Sequence, residues 1–405
     1  MPHFPFLCVF FFRRSGAVVI GAGVFFFLRR MKGSVKRKRT GENVAYGATP
    51  PPPGSSSSDC KLREHKVKMF DIPQTQDFKH YLVGGKVGKG TYGDVFQARN
   101  KAKERGEENR VVALKKIKAH ESQASTGFPK SALREVTLLR TLDHPSIVKL
   151  LGVVVNSAVE PPEVFLSFEF CDVDLGKFLK QHKRPFKEAH IKNIMLALCR
   201  GVAYLHNLHI MHRDLKMANI LYTAKGEVKI ADFGMARAMS KPAKPYTPKV
   251  ITMWYRCPEL LLEDREYDEA VDIWSLGCVF GELIQGEALL CGSTEIEQLT
   301  LILKFVGRPS SDDLNKRFKH LSYRKYEASA MQAFRAGSLE KTGLKKLLYN
   351  YRATNGTGEL ISYMLAFNPR NRISARAALS HFYFQSEAPE ASRTDKMPKY
   401  KPKRI

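Results

Sequence analysis

Three short segments, occurring in one order along the chain, constrain its fold more than any other feature. They read Gly88-Lys89-Gly90-Thr91-Tyr92-Gly93-Asp94-Val95, then His212-Arg213-Asp214-Leu215-Lys216-Met217-Ala218-Asn219, then Asp232-Phe233-Gly234. A glycine-rich turn can bring backbone amides onto triphosphate oxygens, while carboxylates and an amide can take a metal ion and a hydroxyl proton. Each segment alone would be weak evidence, because glycine turns and acidic turn residues are common. Together and in this order they predict a phosphoryl-transfer site.

The composition is that of a globular protein with an unusual charge. The chain has 405 residues, 43% of them hydrophobic and 26% charged, and a formal net charge of +26. Such an excess of positive charge suggests acidic partners, among them nucleic acid, phosphoprotein and anionic membrane. Much of it lies in the tails, with seven basic residues in 29–39 and six in 393–404. These tails are either solvated ends or anion-binding and nuclear-import patches.

The cysteines and the first thirty residues bear on cellular location. Seven cysteines are scattered without metal-type spacing, which is typical of reduced thiols in the cytosol or nucleus. Apolar runs at Phe4–Phe12 and Ser15–Leu28 are each shorter than the roughly 20 residues that span a bilayer. Three readings stay open: a signal peptide, a membrane anchor at 15–28, or translation from Met31. We expect the nucleus or cytoplasm, because secretion would remove the nucleotide.

The remaining chain divides by composition and periodicity. Residues 31–77 are basic and then Gly-, Pro- and Ser-rich, which indicates a linker, and ordered structure is expected near Tyr81. From 81 to about 171, short β-branched and aromatic runs predict an antiparallel sheet with one helix. From 172 to 384 the periodicity is helical, as at 191–205, 272–284 and 296–305, and 385–405 is a basic tail. The prediction is an α+β, bilobed domain.

Lys115 and Glu135 are expected to form an ion pair inside the cleft between the lobes. Lys115 ends an apolar strand, where an ammonium held inward could pair with the α and β phosphates. Such a lysine needs a carboxylate to hold it, and Glu135 lies twenty residues on, in the predicted helix. Displacing that helix would break the pair and switch the site off.

The second and third motifs supply the other predicted catalytic groups. Asp214 is placed to accept the proton of the attacking hydroxyl, and Lys216 to stabilise the transferring phosphoryl group. Asn219 and Asp232 offer the oxygen ligands that Mg²⁺ prefers. His212 is expected to pack beneath Phe233 rather than to act as a base.

A nucleotide base is expected to lie against the segment that joins the lobes. Phe168 would close the back of this pocket, the backbone from Glu169 to Cys171 would face the adenine, and Asp174 would lie at the pocket mouth. Cys171 is a candidate for a reachable thiol, although a lining role is the simpler interpretation.

The chain resembles the cyclin-dependent kinases, which are eukaryotic protein kinases of the CMGC group. The resemblance covers about residues 81–384 and depends on Pro129–Glu135, similar to the family's cyclin-contacting helix, on Val250–Glu259 and on Asp272–Ser275. It implies a bilobed kinase fold, ATP and Mg²⁺ as cofactors, a cyclin partner, and, from Lys216, Ser/Thr acceptors. It also implies ATP contacts from the glycine-rich strands and pocket walls: Val87, Gly88, Gly90, Gly93, Val95, Ala113 and Leu221.

The resemblance also implies regulation by phosphorylation. Thr247 lies fifteen residues after Asp232, where the family carries its activating phosphothreonine. A phosphate there could bridge Arg134, Arg213 and Arg237, three cations that would otherwise repel one another. An activating kinase is therefore an expected partner, and Pro248 makes the site itself proline-directed. Thr91 and Tyr92 occupy the family's inhibitory positions, where a phosphate would repel ATP; simply shaping the loop is the alternative.

Two further pairings are carried over from the family. Arg256 resembles the residue whose contact distorts the loop at Val250, which favours Ser-Pro and Thr-Pro substrates. Glu259 is expected to pair with Arg372 and to anchor the activation segment. Met217 and Cys257 depart from the family pattern, beside the phosphate chemistry rather than in it. The stretch 317–351 fits the family's extra helical insert.

Other classes stay open. A mitogen-activated kinase would carry Thr-x-Tyr where this chain has Thr247-Pro248-Lys249, and it would need no cyclin. A pseudokinase scaffold would usually lose the lysine, the base or the metal aspartate, all of which are present here. A membrane-anchored kinase would depend on residues 1–30. Direct nucleic-acid binding is not expected, and neither the cyclin nor a cell-cycle or transcriptional role follows from the sequence.

Overall fold

The computed structural model describes residues 9–14, 17–22, 75–90, 93–117, 130–181, 186–239, 251–307, 309 and 342–400. They belong to two units, Met1–Phe70 and Asp71–Ile405. In the first unit, strands β1 (Val9–Arg14) and β2 (Ala17–Ala22) form an antiparallel hairpin. Within the described ranges, no helix is both long enough and apolar enough to cross a membrane.

The small lobe is built on a six-stranded sheet. Its strands are β3 (Thr75–Asp77), β4 (Tyr81–Gly90), β5 (Gly93–Asn100), β6 (Val111–Lys116), β7 (Leu150–Asn156) and β8 (Glu163–Glu169). Their order is β3-β7-β8-β6-β5-β4, with every pair antiparallel except β3 and β7. In the described part of the second unit, the first element is β3, which begins at Thr75, six residues before Tyr81, and lies at the edge of the sheet.

Alternation along β6 separates two environments. Val112 and Leu114 are buried in the small core on one face of the sheet. Ala113 and Lys115 point the other way, toward the large lobe, since successive strand residues face opposite sides. Helix α1 (Lys130–Leu139) lies beside this face and buries Glu135 and Leu139. The pattern of the strand therefore directs Lys115 into the cleft.

The large lobe is mainly helical. Its helices are α2 (Leu175–Gln181), α3 (Glu188–Asn207), α4 (Pro258–Leu261), α5 (Ala270–Gln285), α6 (Glu295–Val306), α7 (Thr342–Asn350), α8 (Asn355–Met364), α9 (Ala375–Leu379) and α10 (Phe382–Gln385). Short strands β9 (Val173–Asp174), β11 (Ile220–Tyr222) and β12 (Val228–Ile230) form one sheet, and β10 (Ile210–Met211) pairs with β13 (Arg237–Ala238). Helix α5 is the centre of the core, with Trp274 fully buried.

These elements confirm the predicted α+β, bilobed architecture. The helical runs predicted at 191–205, 272–284 and 296–305 lie inside α3, α5 and α6. Thr294 begins α6 by accepting a hydrogen bond from the backbone N–H of Glu297, and Gly307 ends it with a positive φ of 86°. Of the predicted insert, 317–351, Thr342–Asn350 is helical and 317–341 lies outside the described residues.

The C-terminal segment, residues 386–400, packs along the large lobe instead of ending in solvent. The Lys192 ammonium donates to the Glu387 carbonyl at 2.6 Å, and the Asn193 side chain donates to the Ser392 carbonyl at 2.7 Å. Met397 is buried, and the Tyr400 ring meets Phe178 edge-on. The basic composition left a solvated tail and an anion-binding patch open. The apolar side chains interspersed in this segment hold residues 386–400 against the lobe, and the anion-binding role stays a prediction.

Candidate active site

Lys115 joins three parts of the chain in the cleft. Its ammonium lies 2.8 Å from Glu135 Oε1 on α1 and 2.9 Å from Asp232 Oδ1 in the large lobe. All three side chains are largely buried. Burial alone would lower the pKa of Lys115, but the two carboxylates raise it overall, so the lysine stays charged. The predicted pair with Glu135 is thus present, with α1 held against the cleft.

The motif from His212 to Asn219 places its polar side chains around one carboxylate. Lys216 Nζ lies 2.7 Å from Asp214 Oδ2, and Asn219 Nδ2 donates to the same oxygen at 2.8 Å. Thr252, to which the sequence analysis gave no role, donates to Asp214 Oδ1 at 3.2 Å and accepts from Lys216 at 3.0 Å. The carboxylate of Asp214 is therefore fixed in orientation by three side chains.

His212 and Phe233 pack against each other in the core and so support the two motifs. Their rings meet at a centroid distance of 4.9 Å and an angle of 69°, and His212 Nε2 lies 3.1 Å from the Ala231 carbonyl. Both side chains are fully buried, as predicted for a packing histidine. Asp232 itself has a left-handed φ of 65°, which turns its carboxylate toward Lys115 at the start of a 3₁₀ turn, Phe233–Met235.

Asp272 on α5 holds the motif from His212 to Asn219 by its backbone. Its carboxylate accepts from the N–H groups of His212 and Arg213 at 2.9 and 2.8 Å, and it lies 3.0 Å from His206 Nε2. Burial would raise the pKa of Asp272, but these hydrogen bonds and the nearby histidines lower it overall. Asp272 was expected only as part of a family motif, because the groups it contacts lie about sixty residues away in the chain.

Strand register brings the predicted nucleotide-contact residues together. Gly88 lies opposite Val95, Val95 opposite Lys115, and Ala113 opposite Phe168. In the large lobe, Leu221 lies opposite Asp174. These pairings bring candidate residues together within each lobe.

The glycine-rich turn requires its last glycine. Gly90 pairs with Gly93 at the end of the β4–β5 ladder. A Cβ added at Gly93 would lie 1.7 Å from the Lys116 carbonyl oxygen, so no other residue fits there. Val87 is 46% exposed, as a residue at a cleft entrance would be. The predicted inhibitory positions Thr91 and Tyr92 lie outside the described residues.

The segment joining the lobes has two further features. Burial, with some contribution from Glu169, raises the pKa of the Cys171 thiol to about 12, which makes it a poor nucleophile and favours the lining role. Asp174 accepts from the Lys177 backbone N–H at 2.8 Å and also pairs with the Lys177 ammonium, so it begins α2.

Two of the three arginines predicted to bind a phosphothreonine are close together. Arg213 is buried and donates to the Met235 carbonyl at 2.9 Å and to the Tyr267 hydroxyl at 2.8 Å. Arg237 lies on β13, opposite Met211 on β10. Tyr267 was missed because it is 54 residues from Arg213. The side chain of Arg134, and Thr247 itself, lie outside the described residues.

Arg256 fixes an unusual backbone conformation at Ile251. Its Nη2 and Nε donate to the Ile251 carbonyl at 3.0 and 3.3 Å, and its Nη1 lies 2.8 Å from Glu295 Oε1. Ile251 has a φ of 67°, a strained value for a β-branched residue. The distortion was expected at Val250, which lies outside the described residues; among the residues described, the carbonyl that accepts from the guanidinium belongs to Ile251. Glu295 was not singled out from the sequence.

Glu259 and Arg372 form the predicted buried ion pair. Arg372 also donates to the carbonyls of Ala366 and Phe367, at 2.8 and 3.2 Å. Its guanidinium lies over the Trp274 ring, 5.0 Å from the centroid. The pair therefore joins the segment after Arg256 to the core helix α5.

Comparison with known proteins agrees with this geometry. The family model described as the protein kinase domain matches residues 81–384. Cyclin-dependent kinase 10 of Rattus norvegicus is 37% identical over 335 residues, which are 82% of this chain and 87% of the rat protein. Cyclin-dependent kinase G-2 of Oryza sativa subsp. indica is 38% identical over 324 residues, or 78% of this chain and 42% of the rice protein.

A solved structure shows the same fold. It is the structure of the CAK complex from Chaetomium thermophilum bound to ATP-gamma-S, one chain of which is 34% identical with a TM-score of 0.65. The match covers 80% of this chain and 96% of that chain. The predicted kinase fold is thereby confirmed, and the chain belongs to the cyclin-dependent kinase family of protein serine/threonine kinases.

Proposed function

We propose that this kinase transfers the γ-phosphoryl group of ATP to Ser-Pro and Thr-Pro sites and is activated by a cyclin and by phosphorylation of Thr247. The observation that carries the proposal is the ammonium of Lys115, bonded to Glu135 of one lobe and Asp232 of the other. That contact requires both lobes and α1 to be in place at once, as the reaction does.

Asp214 and Lys216 are the proposed catalytic residues. Asp214, oriented by Asn219 and Thr252, accepts the proton of the substrate hydroxyl. Lys216, held 2.7 Å from Asp214 Oδ2, stabilises negative charge on the transferred group. The hydroxyl of Thr252 holds the Asp214 carboxylate and the Lys216 ammonium at a fixed distance from each other, so its role is to position them.

The residues present fit ATP and Mg²⁺. Asn219 donates through Nδ2 to Asp214, which leaves the Oδ1 of Asn219 as the amide atom that could bind a cation. Asp232 adds a carboxylate. These are hard oxygen donors of the kind Mg²⁺ takes, the rest being phosphate and water. The metal would neutralise phosphate charge. The structural neighbour bound to ATP-gamma-S supports a nucleotide between Lys115 and the Phe168–Cys171 segment.

A cyclin is the proposed partner of α1. The relatives are named cyclin-dependent kinases. In this chain, the segment that resembles the family's cyclin-contacting helix leads into α1, which begins at Lys130 and carries Glu135. A protein bound to this helix would hold Glu135 on Lys115. Mass spectrometry of proteins that co-purify with the tagged chain tests this. A stoichiometric cyclin supports the proposal, whereas a fully active kinase without one would contradict it.

Thr247 is the proposed activating phosphosite. Arg213 and Arg237 are near one another, and both act electrostatically on Tyr267, which marks a positively charged region for a phosphate. We expect Thr247→Ala to lower kcat/KM by about tenfold or more, since charge-assisted bonds of this kind order a loop. Thr394→Ala is the matched control, far along the chain. Unchanged activity with Thr247→Ala would contradict the assignment.

The selection of proline depends on Ile251. Because Arg256 occupies its carbonyl, that acceptor is not offered to the N–H of the residue after the phosphorylated serine. Proline has no N–H and loses nothing there, whereas other residues leave a donor unpaired. We expect a Ser-Pro peptide to be phosphorylated with about tenfold or greater kcat/KM than its Ser-Ala twin. Equal use of the two peptides would contradict this step alone.

A further inference from the structure

The C-terminal segment, residues 386–400, is fixed at its start by one end of helix α8. The Glu387 carboxylate accepts from the Gly356 backbone N–H at 2.8 Å and from the Thr354 hydroxyl at 2.7 Å. Both donors lie at the N-terminus of α8, where backbone N–H groups have no partner within the helix. The Glu387 carbonyl accepts from the buried ammonium of Lys192 on α3. The segment is therefore directed along α3 from its first residues.

Helix α3 also holds the middle of the C-terminal segment. The Ser392 backbone N–H donates to the Ala189 carbonyl at 2.8 Å, and the Ser392 carbonyl accepts from the Asn193 side chain at 2.7 Å. Both polar backbone groups of Ser392 are thus bonded to the large lobe, whereas a loose tail would leave them to water. The path of the segment is set by these bonds and not only by apolar contact.

The far end of the segment meets strand β11. The buried Tyr222 hydroxyl donates to the Pro398 carbonyl at 2.7 Å. The Tyr222 ring lies 4.6 Å from that of Phe178 on α2, and the Tyr400 ring meets Phe178 edge-on at 5.8 Å. Aromatic pairs at such distances and angles attract one another. Tyr222 is therefore held by the C-terminal segment through its hydroxyl and, by way of Phe178, through its ring.

Gly226 lets the segment approach the turn between β11 and β12 closely. It has a φ of 89°, and a Cβ added to it would lie 2.8 Å from Met397 Cβ. Met397 itself is buried in the core of the large lobe. Apolar burial at Met397 thus adds to the contacts that Tyr222 makes.

Strand β11 presents two faces, of which the C-terminal segment covers one. Successive strand residues point to opposite sides, so Leu221 faces away from the side that Tyr222 occupies. Leu221 lies opposite Asp174, and the Tyr222 carbonyl accepts from the Asp172 N–H at 3.1 Å. A displacement of Tyr222 would therefore reach, through one strand, the residues expected to contact the nucleotide.

We propose that the C-terminal segment positions the large-lobe side of the nucleotide pocket, with Tyr222 and Tyr400 as the positioning residues. The inference depends on the proposed function, because only that proposal makes Leu221 and Asp174 nucleotide contacts. The groups assigned to the protein substrate, among them the Ile251 carbonyl, belong to other parts of the chain. Loosening the segment should weaken nucleotide binding and leave substrate binding unchanged.

The test uses the full chain and point variants that alter one contact each. Tyr222→Phe removes only the hydroxyl, Tyr400→Ala removes the ring, and Tyr400→Phe keeps the ring and serves as the rescue. Lys396→Ala/Lys399→Ala is the control, because it changes exposed side chains of the same segment. Isothermal titration calorimetry with ATP-gamma-S and Mg²⁺ gives the Kd for nucleotide. Steady-state assays give KM for ATP and KM for a Ser-Pro peptide separately.

We expect Tyr222→Phe and Tyr400→Ala to raise both the Kd for ATP-gamma-S and the KM for ATP by about three- to tenfold, as the loss of one hydrogen bond or ring contact would. The KM for the peptide, and every constant of Tyr400→Phe and of the control, should stay within about twofold. A segment that only added stability would lower the melting temperature without changing the ratio of the two KM values.

Unchanged nucleotide affinity in either Tyr222→Phe or Tyr400→Ala would overturn the inference, and so would a parallel rise in KM for the peptide. The calorimetry separates this failure from that of the proposed function. If the unaltered chain bound no ATP-gamma-S, the nucleotide site itself would be wrong, and the inference would fall with it.

Discussion

Arg372 donates two hydrogen bonds to Glu259, of 2.5 and 2.7 Å, and joins residues 113 positions apart in the chain. Both side chains are almost fully buried. Such a pair is costly to assemble, because each charge loses its water, and more costly to break. Its position links the segment after Arg256 to the core helix α5, and so to the stability of the large lobe.

We expect Glu259→Ala to lower the free energy of unfolding by about 3–5 kcal/mol, because Arg372 would remain buried without a partner. Urea denaturation measures the change. Glu263→Ala, which lies just after α4 and is only partly buried, is the control.

The double variant Glu259→Leu/Arg372→Met tests whether the two residues act on stability as a pair. Replacing both charges with apolar side chains should destabilise the protein less than Glu259→Ala does. A double variant that is less stable than the single one would mean that the residues contribute separately and not as a pair.

Asp232→Asn is expected to abolish metal-dependent phosphoryl transfer, with a fall in kcat of about 100-fold or more. Asparagine keeps the shape of the side chain but removes the charge that the metal and Lys115 require. The melting temperature should stay close to that of the unaltered protein. Asp395→Asn, exposed and paired with Arg393, is the control. Substantial residual activity would refute the assignment of the site.

Glu295→Gln should weaken the selection of proline. Without this carboxylate, Arg256 keeps its bonds to Ile251 but loses the charged partner that orients it. The ratio of kcat/KM for Ser-Pro over Ser-Ala peptides should fall by about three- to tenfold. Glu287→Gln on the neighbouring exposed loop should leave the ratio unchanged. A ratio that stays constant in Glu295→Gln would show that Arg256 needs no such support.

Cys171 should react slowly with iodoacetamide at pH 7–9. The thiolate is the nucleophile, and with a pKa of about 12 the thiol stays protonated throughout this range. Reactivity should rise steadily as the pH approaches that value. Cys291 is exposed and provides the internal comparison, followed by peptide mass spectrometry of both sites. Labelling of Cys171 ahead of Cys291 would contradict the burial of this thiol.

Sequence reasoning predicted most of the elements that carry the site, because their signals are local. Alternation placed Lys115 on a strand, and spacing placed Glu135 on a helix, so their contact needed no knowledge of the rest of the fold. The Glu259 and Arg372 pair, by contrast, could be named only through the family resemblance. The roles given to the site residues, and the expected nuclear or cytoplasmic location, remain predictions.

The contacts that were missed are long-range. Tyr267 meets Arg213 across 54 positions, and Glu295 meets Arg256 across 39. No periodicity or spacing rule connects such residues. The positive φ of Ile251 was not predicted for a related reason, because it depends on which carbonyl the Arg256 guanidinium can reach.

The C-terminal segment determines how short a working kinase can be made. The homologous domain ends at residue 384, yet the Tyr222 hydroxyl donates to the Pro398 carbonyl at 2.7 Å and Met397 fills a recess beside Gly226. A polypeptide that ended at 384 would leave the Tyr222 hydroxyl without its acceptor and would expose the apolar recess that Met397 fills. Recombinant production and crystallisation should therefore retain the chain through Tyr400, with any affinity tag separated from it by a spacer.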